Sequence, residues 1–392
     1  MKILHISLMG PYTDNWSYQE NILPKIQYQQ GHTVTVIAPC LKHTNDGSIV
    51  DTEPDDYIVD DGVRVIRLPL KTNKGIVGKI NNVRRPYKLY PLLCELSPDL
   101  IMVHGLGQGK SNFDIAKYLR KQPSCVLVGD VHMYATLAAE KIKSFKSGII
   151  DAYNKYCREK LYPFYKKVFG ITTACVDYAI KEYNLPPQKV ELLPLGFDPN
   201  MCCYEDKEKS RQEFRQKYQF GEDDFLIAHG GKIIKRRKTP ETIEAVMKIE
   251  NPKVKLVIFG GIDEEMKPQV EPLIHKYSDR VLYLGSLTPE EYHSVYHASD
   301  MALFPGGQSV LWQQAIGCGL PILVGNDKDL DYLNRGGNAA FIDDTSAQGI
   351  YEMILNVLKE ENFSDMKNAA ENQAREFFSY ERIAKLVTDC VD

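Results

Sequence analysis

Residues 299–326 have the sequence SDMALFPGGQSVLWQQAIGCGLPILVGN, and this stretch decides the fold class. Its apolar runs Met301–Phe304 and Ile322–Val324 are typical of buried strands, and the segment between them has the pattern of a helix that begins near Gln308 or Ser309. Strand, helix and strand in this order form a βαβ unit, and such units build parallel sheets. The stretch therefore predicts an α/β protein.

The turn Pro305-Gly306-Gly307 between the first strand and the helix is a candidate phosphate-binding loop. Glycine lets a ligand approach the backbone closely, and the free N–H groups and the dipole at a helix start favour an anion. Residues Gly306–Leu311 would form the cradle. The same strand, turn and helix is also an ordinary joint of α/β proteins, so this stretch taken alone leaves both interpretations open.

The composition is that of a globular protein with two or more domains. The chain has 392 residues, of which 43% are hydrophobic and 26% charged, and these are ordinary values for a protein with a sizeable core. No apolar run approaches the ~18–20 residues of a membrane-spanning helix, and the N-terminal MKILHISLMG lacks a signal-peptide cleavage site. We therefore expect a cytoplasmic protein that begins at or near Met1.

The nine cysteines are scattered along the chain. They include no Cys-x-x-Cys pair and no Cys/His cluster at the spacing of a metal site, so we expect neither a disulfide framework nor a metal site. Most of them are expected to be small buried hydrophobic residues.

Positive charge is concentrated in one part of the chain. Residues Lys71–Lys167 contain 18 Lys/Arg and 7 Asp/Glu, whereas the net charge of the whole chain is −4. Within this region, KTNKGIVGKI from Lys71 and RRPYKLY from Arg84 combine cations with apolar side chains, as an interfacial segment does. Such an asymmetry can attract an anionic membrane surface or an anionic acceptor. A solvated surface, or an amphipathic helix packed on its own domain, is the alternative.

The first half of the chain opens with a Rossmann-like pattern. We expect strands at Lys2–Leu8 and Thr33–Ala38, a helix at about Ser17–Gln29 between them, and a loop at Leu41–Asp61. The G-x-G-x-x-G fingerprint of dinucleotide-binding proteins is absent, so a nicotinamide cofactor is not supported.

Three polar side chains follow later strands of this half. His104 lies at the end of the strand in Pro98–Gly107, and Asp130 and His132 follow the strand Ser124–Val128. Ligands of open α/β sheets bind beyond the carboxyl ends of the strands, which is where these side chains fall. A histidine in such a loop is often a hydrogen-bonded structural residue. Because His132 lies at the carboxyl end of a strand, a catalytic role and a structural role have equal weight for this residue.

The second half repeats the scheme of strand, glycine and helix. The polar segment Gly196–Gly221 is a candidate interdomain linker, and the strand Phe225–His229 follows it. Further strands at Lys255–Phe259 and Arg280–Leu284 also end in glycines, which predicts a second doubly wound sheet. The glycines after the first of these strands precede five cations that suit a diphosphate: Lys232, Lys235, Arg236, Arg237 and Lys238. A charge run of this kind is otherwise a solvated face.

Placed in this order, the motifs resemble those of the retaining glycosyltransferases of family 4. The matching segments are MKILHISLMGPY, GHTVTVIAP, PDLIMVHGLG, the segment around His132, KVELLPLGFD, GGKIIKRRK, KLVIFGG, VLYLGSLTPEEY, and SDMALFP with QAIGCGLPILVG. The resemblance implies the GT-B fold, in which two Rossmann-like domains with parallel sheets face each other across an active-site cleft. It places an acceptor-binding domain at residues 1–198, a nucleotide-sugar-binding domain at 199–376, and a final helix, 377–392, that crosses back to the first domain.

The resemblance also implies roles for individual residues. Gly10 would lie in the loop that faces the donor diphosphate, and His132 would lie close to the transferred sugar. Lys232, with Arg237 or Lys238, would bind the diphosphate and stabilise the negative charge that develops on it. Leu284, Gly285 and Leu287 would hold the nucleobase. The remaining positions implied to bind the donor are Gly231, Gly306, Gly307, Gln308, Ser309, Val310, Leu311 and Gln314.

The sequence departs from the family at two of these positions. The family usually has two glutamates eight positions apart, the first on the donor sugar and the second on the ribose, where this chain has Gly306 and Gln314. Gln314 can still hydrogen-bond a ribose hydroxyl, but Gly306 offers only backbone. Either Gln308 or the N–H groups of Gly307–Ser309 replace the lost contact, or the donor sugar is unusual, or activity is impaired.

The function implied is transfer of a sugar from a nucleotide-diphosphate donor to a glycan or lipid-linked acceptor, with retention of anomeric configuration, in the synthesis of a surface polysaccharide or glycolipid. Such enzymes need no metal and no cofactor, and UDP is slightly favoured over GDP as the donor nucleotide. No nucleic-acid partner is expected, and the basic region Lys71–Lys167 would hold the protein peripherally on the inner face of a membrane.

Two other functions are compatible with the same fold. One is a nucleotide-sugar 2-epimerase, for which the second half lacks the acidic residues that elimination and re-addition need. The other is a non-catalytic protein that binds a nucleotide sugar or a partner enzyme, which the residues Gly306 and Gln314 would explain.

Overall fold

The structure is a computed structural model that describes residues 1–44, 48–71, 85–86, 89–107, 109–133, 145–202, 207–307, 309–327 and 330–391. The chain divides into two compact units. The first comprises Met1–Pro194 and Ile383–Asp392, and the second comprises Leu195–Arg382. Much of the basic region lies outside the described residues, as does Gln308, so the membrane-facing role of that region stays a prediction.

The first unit is built on a sheet of eight strands. Their order is β12-β11-β10-β9-β1-β2-β6-β5, and the described pairings are parallel except for β5, which runs antiparallel to β6. Two further antiparallel pairs, β3–β4 and β7–β8, stand apart from this sheet. The strands are β1 Lys2–Ile6, β2 Thr33–Pro39, β3 Leu41–His43, β4 Ile49–Asp51, β5 Asp55–Ile58, β6 Arg64–Leu68, β7 Leu70–Lys71, β8 Arg85–Pro86, β9 Leu100–Val103, β10 Val126–Val131, β11 Tyr165–Gly170 and β12 Val190–Leu192.

The core of the first unit lies around the central strands. All four residues of β9 and most of β1 are buried, as expected for parallel strands covered on both faces. In the register of the sheet, Ile6 pairs with Ile37 and with Val103, so the carboxyl ends of β1, β2 and β9 are level. The helices of this unit are α1 Gln19–Gln29, α2 Leu89–Leu96, α3 Ser111–Lys121, α4 Phe145–Glu159 and α5 Thr173–Lys181, followed by a 3₁₀ turn at Pro187–Lys189.

The second unit is a doubly wound sheet. Its strand order is β15-β14-β13-β16-β17-β18, and all the described pairings are parallel. In order of appearance this is 3-2-1-4-5-6, which places the topological switch point between β13 and β16. The strands are β13 Phe225–Gly230, β14 Val254–Phe259, β15 Val281–Tyr283, β16 Met301–Phe304, β17 Ile322–Gly325 and β18 Ala339–Ile342. The prediction of a second doubly wound sheet is confirmed.

Helices connect these strands and complete the chain. Helix α14 begins in the second unit, and its residues from Ile383 onward belong to the first. None of the described helices combines the length and the apolar character needed to cross a membrane. The helices are α6 Lys207–Lys217, α7 Thr239–Met247, α8 Lys267–Lys276, α9 Pro289–Ala298, α10 Leu311–Gly317, α11 Ala347–Val357, α12 Glu360–Ala369, α13 Arg375–Phe377 and α14 Tyr380–Thr388, with 3₁₀ turns at Lys235–Arg237 and Asp331–Leu333 and a π turn at Ala370–Ala374.

The segment Gly196–Gly221, predicted to be a linker, contains helix α6, and that part of the prediction is wrong. Two of its arginines hold the helix in place, because Arg211 and Arg215 donate hydrogen bonds to opposite oxygens of Asp300 at 2.8 and 3.0 Å. The helix buries few residues, Phe214 among them. Its sequence pattern is therefore almost entirely polar.

Two other boundaries differ from the predictions. Helix α10 begins at Leu311 and not at Gln308 or Ser309, and the Ser309 hydroxyl accepts a hydrogen bond from the N–H of Leu311 at 3.3 Å. Serine favours such local bonds to the backbone over helical bonding. The segment Leu41–Asp61, predicted to be a loop, contains β3, β4 and β5, which are short strands with few buried residues.

Candidate functional site

A buried histidine near the carboxyl end of β13 hydrogen-bonds to two neighbouring elements. His229 Nδ1 lies 2.8 Å from the carbonyl oxygen of Leu303 in β16, and its Nε2 lies 2.9 Å from Oγ1 of Thr239 at the start of α7. Burial lowers the pKa of His229 to about 4, so the imidazole is neutral at physiological pH. These bonds tie the two strands at the switch point to the helix that follows the basic segment.

Two glycines leave the end of β13 open. Gly231 and Gly260 have φ values of +108° and +124°, which favour glycine. Their backbones touch, because a Cβ on Gly260 would lie 2.1 Å from the carbonyl oxygen of Gly231. A side chain on Gly260 would therefore clash with Gly231, whereas one on Gly231 would fill the space beside Leu311 and Arg237.

Arg237 joins the two glycine loops of the switch point. Its Nη1 donates to the carbonyl oxygens of Gly307 at 2.9 Å and of Gly306 at 3.4 Å. A Cβ built on Gly231 would lie 3.8 Å from the Arg237 guanidinium carbon and 3.5 Å from Cδ1 of Leu311. The fold thus brings together five residues that were predicted to bind the donor. We call them the switch-point cluster: Gly231, Arg237, Gly306, Gly307 and Leu311.

The Arg237 guanidinium is partly buried, which disfavours its charged form. Burial, and then the nearby charge of Arg236, lower the pKa of the Arg237 guanidinium. Its Nε is buried, and no described residue accepts a hydrogen bond from it. A fixed cation with an unused donor beside glycine backbone is the arrangement that an anionic ligand such as a phosphate satisfies.

Two of the other predicted cations, Lys232 and Lys238, are paired with acids. Lys232 Nζ lies 3.1 Å from Asp263, and its side chain is 69% exposed. Lys238 Nζ lies 3.0 Å from Glu241, and its φ of +60° places it in the left-handed region between the 3₁₀ turn and α7. Both side chains are exposed enough to leave an acid for a stronger anion.

Gly306 has no room for a side chain. A Cβ at this position would lie 2.0 Å from the carbonyl oxygen of Arg236 and 3.4 Å from Cγ of Lys238. Real side chains do not approach a backbone oxygen so closely, so the glutamate usual in the family could not be accommodated here without moving the Lys235–Arg237 turn. The absence of a carboxylate at 306 is therefore built into the loop.

Gln314 is buried in α10, with 3% of its surface exposed. Its amide oxygen lies 3.1 Å from Nε2 of His293 and 3.8 Å from Sγ of Cys202. Gln314 thus belongs to a buried polar group in the interior of the second unit. Its predicted contact with a ribose stays a prediction.

The residues predicted to hold the nucleobase line a cavity of about 220 Å³. Leu284 and Leu287 form part of its wall. Phe214 of α6 and Tyr218, which directly follows α6, form another part, and their rings are 4.7 Å apart. Gly285 between the leucines has a φ of +71°. The cavity combines apolar and aromatic walls with the carboxylates of Glu213 and Glu291.

The remaining predicted donor residues lie on backbone loops. Val310 is 44% exposed and lies just before α10, and Ser309 precedes it. In the first unit, Gly10 follows β1, and a Cβ at this position would meet no atom within 4 Å. The loop at Gly10 is therefore open, as a loop that receives a ligand needs to be.

His132 ends a chain of buried polar side chains in the first unit. Its Nε2 lies 3.1 Å from Oδ1 of Asp130, and the other oxygen of Asp130 lies 2.9 Å from Nδ1 of His104. His104 Nε2 in turn lies 2.9 Å from Nδ1 of His5, whose Nε2 lies 2.6 Å from the amide oxygen of Gln27. We call these five residues the histidine–aspartate chain.

The pKa values at the two ends of the histidine–aspartate chain are shifted in opposite directions. Burial lowers the pKa of His5 to about 3. Desolvation also lowers the pKa of His132, but the charge of Asp130 and its hydrogen bond outweigh this effect and raise the pKa above its usual value. Burial raises the pKa of Asp130, but the imidazoles of His132 and His104 hold it well below its usual range. The result is a carboxylate that orients His132 and favours its protonated form.

His104, Asp130 and His132 were predicted to lie at strand ends, whereas His5 and Gln27 were not predicted. The available signal was a histidine within the buried strand KILHI, since an apolar strand rarely contains a polar residue without a partner. Gln27 lies in α1 and is fully buried. Its pairing with His5 could not be read from the spacing of the two residues.

Comparison with known protein families covers both units. A family described as "Glycosyl transferases group 1" matches residues 210–377, and one described as "Glycosyltransferase Family 4" matches residues 27–201. The chain belongs to the group 1/family 4 glycosyltransferases. The family resemblance and the GT-B fold class predicted from the motifs are thereby confirmed.

Individual glycosyltransferases are similar to this chain at low identity. The lipopolysaccharide glucosyltransferase WaaG of Escherichia coli K12 is 23% identical over 228 residues, which are 54% of this chain and 61% of WaaG. The mannosylfructose-phosphate synthase of Agrobacterium fabrum is 21% identical over 243 residues, which are 57% of this chain and 52% of that protein. The chain thus spans less than two thirds of the length of each.

Solved structures are similar over the whole chain. HepE of Anabaena in complex with UDP has a TM-score of 0.68 at 16% identity and covers 99% of both chains. The structure of WaaG has a TM-score of 0.59 at 17% identity and covers 99% of this chain and 100% of its own. At such identities the likeness shows the fold.

Proposed function

We propose that the protein transfers a sugar from a nucleotide-diphosphate donor to a glycan or lipid-linked acceptor, with retention of anomeric configuration. The observation that carries this proposal is the switch-point cluster, in which Arg237 lies against the carbonyl oxygens of Gly306 and Gly307. This cluster supplies a fixed cation next to glycine backbone, and it lies at the topological switch point, where doubly wound sheets bind nucleotides.

The switch-point cluster suits the departure of a nucleoside diphosphate. When the bond between sugar and diphosphate breaks, negative charge grows on the leaving oxygen, and cations fixed beforehand stabilise it more in the transition state than in the ground state. Arg237 would provide the fixed charge, and Lys232, exposed at the rim, would turn from Asp263 to the diphosphate. The leaving oxygen would take the proton of the acceptor hydroxyl, so no side-chain nucleophile and no metal would take part in the transfer.

We propose a UDP-sugar as the donor. HepE, whose fold this chain shares, has been solved with UDP and with UDP-glucose. The cavity beside Leu284 and Leu287 has apolar and aromatic walls against which a base could stack. His132 of the first unit would serve the transferred sugar, as the family resemblance implies, and the charge of Asp130, which raises its pKa, would favour the protonated imidazole.

We propose a glycolipid or lipid-linked glycan as the acceptor. The similar protein WaaG is named as a lipopolysaccharide glucosyltransferase. The excess of cations in Lys71–Lys167 would favour an anionic lipid surface, with the protein held peripherally on the inner face of the membrane.

The proposal is tested by incubating the full chain with UDP- and GDP-sugars and a lipid-linked acceptor, and by measuring release of the nucleoside diphosphate. We expect release with a UDP-sugar that depends on the acceptor. Absence of turnover with every donor, together with calorimetric binding of UDP, would instead support a non-catalytic nucleotide-sugar-binding protein. Formation of an epimer without acceptor, seen by proton NMR, would support the epimerase.

Replacement of Lys232 tests the role of the rim cation. We expect Lys232→Ala to lower kcat/KM for the donor by about 100-fold, or ~3 kcal/mol, a typical loss for one donor to a developing anion. The midpoint of thermal unfolding should not change, since Lys232 is exposed. The control is Lys267→Ala, which removes another exposed lysine that is paired with an acid, Glu264 at 2.6 Å. Equal kinetic effects of the two variants would contradict the assignment.

A further inference from the structure

Two cysteines and a histidine that are distant in sequence meet in the interior of the second unit. Cys202 precedes α6, His293 lies in α9, and Cys318 directly follows α10. The two thiol sulfurs and one ring nitrogen of the histidine all lie within 4.8 Å of one another. Both cysteines are fully buried and His293 is 4% exposed, so this group, the Cys/His cluster, is closed to solvent.

The spacing of the two sulfurs matches a metal-bound pair. Sγ of Cys202 and Sγ of Cys318 are 3.8 Å apart. Two thiolates at ~2.3 Å from a tetrahedral Zn²⁺ are separated by about 3.8 Å, whereas the sulfurs of a disulfide are ~2.0 Å apart. Zinc is also the metal that structural sites with mixed cysteine and histidine ligands prefer.

His293 is oriented as a metal ligand would be. Its Nδ1 lies 2.6 Å from the carbonyl oxygen of Pro289, and because a carbonyl only accepts, Nδ1 carries the proton. In the neutral imidazole the lone pair is then on Nε2, which faces the amide oxygen of Gln314 at 3.1 Å. Two acceptors in contact repel each other unless a cation is bound beside them, the imidazole is doubly protonated or the amide is turned round. A backbone carbonyl that fixes the tautomer in this way is the usual partner of a ligating histidine.

A second histidine lies one helical turn from His293. His297 follows His293 by four residues in α9 and lies next to Cys318. Its Nε2 is buried and has no hydrogen-bond partner among the residues that the structure describes. Two thiolates and two neutral imidazoles around Zn²⁺ carry no net charge, which is compatible with full burial.

We propose that Cys202, His293 and Cys318 bind one Zn²⁺ ion, with His297 as the fourth ligand. Binding replaces the protons of the two thiols, which are released to solvent, and leaves both imidazoles neutral. With four protein ligands the site has no open position, so the ion is structural and takes no part in sugar transfer.

The ion would connect three parts of the second unit that the sheet does not join. It ties the segment that enters the unit at Cys202 to α9, and ties both to the end of α10. Gln314 lies one turn before Cys318 in α10, and α10 follows the Gly306–Gly307 loop. The zinc site would therefore support the helix behind the switch-point cluster. The spacing of the cysteines predicted no metal site, because 116 positions separate Cys202 from Cys318.

Cobalt spectroscopy of the unmodified full chain tests this proposal. The protein is produced in medium supplemented with Co²⁺, any affinity tag is removed, and the visible absorption spectrum and metal content are recorded. We expect about one metal ion per chain, with the thiolate charge-transfer and d–d bands of tetrahedral Co²⁺. Protein produced with Zn²⁺ should contain about one zinc per chain.

Variants locate the ion. Cys202→Ser and Cys318→Ser should each abolish the cobalt thiolate bands and lower the metal content at least tenfold. The matched control is Cys175→Ser, which makes the same change at a fully buried cysteine of the first unit and should retain both. Retention of the bands in all three variants would show that the ion binds elsewhere and would overturn the proposal.

The unmodified chain decides the question even where a variant does not fold. Absence of metal and of cobalt bands, with nine thiols titrated in denaturant, would show that the cluster is a pair of buried thiols and would overturn the proposal. Two thiols fewer than nine, recovered by a reductant, together with a linked Cys202–Cys318 peptide identified by mass spectrometry, would show a disulfide between these residues and would overturn it equally.

Discussion

At Gly306 the backbone approaches the Lys235–Arg237 turn so closely that a methyl group cannot fit. A Cβ would lie 2.0 Å from the carbonyl oxygen of Arg236. We expect Gly306→Ala to lower the free energy of unfolding of the second unit by ~1–3 kcal/mol, the usual cost of overpacking. It should also weaken UDP binding, because Arg237 would lose its bonds to the loop.

Urea unfolding and calorimetric titration with UDP check this expectation. The control is Gly221→Ala in the same unit, where a Cβ meets nothing closer than 3.7 Å and where we expect a change within ~0.5 kcal/mol. If Gly306→Ala is as stable as the parent and binds UDP equally, the loop has more room than the structure indicates.

The charge state of His132 depends on Asp130. Asp130→Asn keeps the shape of the side chain but removes the charge that raises the pKa of His132. We therefore expect the pKa of His132 to fall. NMR titration of isotope-labelled histidine measures it. Asp177→Asn, which changes an exposed aspartate paired with Lys181 in α5, is the control and should leave the pKa of His132 unchanged.

Single residues were predictable where topology alone decides their position. Arg237 and the glycines follow strands of a parallel sheet, so they had to fall at one edge of it. The inward orientation of Gln314 was not predictable, because it depends on how α10 packs against His293. The Cys/His cluster was hidden for the same reason, since its members belong to three elements that only the folded unit brings together.

Helix α9 begins with a capping box that the sequence displays as Thr288-Pro-Glu-Glu291. The Thr288 hydroxyl accepts from the N–H of Glu291, and the Glu291 carboxylate accepts from the N–H of Thr288 at 2.8 Å. We expect Thr288→Ala to lower the free energy of unfolding of the second unit by ~1 kcal/mol. Urea unfolding measures it. Ser294→Ala, at a half-buried position of the same helix, should have a smaller effect, and equal losses would argue against the capping box.

The elements that the sequence predicted best are strands with an apolar run and a glycine at the end. Strand β13 was predicted at Phe225–His229 and extends one residue further, and β14 was predicted at Lys255–Phe259 and begins one residue earlier. Helix α6 was missed because its stability comes from the contacts of Arg211 and Arg215 with Asp300. A helix held by polar contacts with a distant residue has no apolar periodicity to detect.

Over the whole molecule, a neutral buried histidine in each unit makes stability depend on pH. Burial lowers the pKa of His5 in the first unit to about 3 and that of His229 in the second to about 4. In the unfolded chain a histidine takes up a proton below about pH 6.5. Stability from these groups is therefore present above pH ~6.5 and is lost as the pH falls toward the folded pKa, by ~1.4 kcal/mol per pH unit for each histidine. His132, whose pKa is raised, acts in the opposite sense and loses its contribution as the pH rises through that pKa.

The two tryptophans allow the second unit to be followed by itself. Trp16 lies in the first unit and Trp312 in the second, so in a Trp16→Phe background the fluorescence reports the second unit. We expect the free energy of unfolding to fall more steeply between pH 6.5 and 4.5 in this parent than in a further His229→Asn variant, by ~1.4 kcal/mol per pH unit. The variant is less stable at pH 7.5, because it loses contacts with Leu303 and Thr239, but the difference in slope does not depend on that loss. Equal slopes would mean that His229 is not the group whose protonation opposes folding.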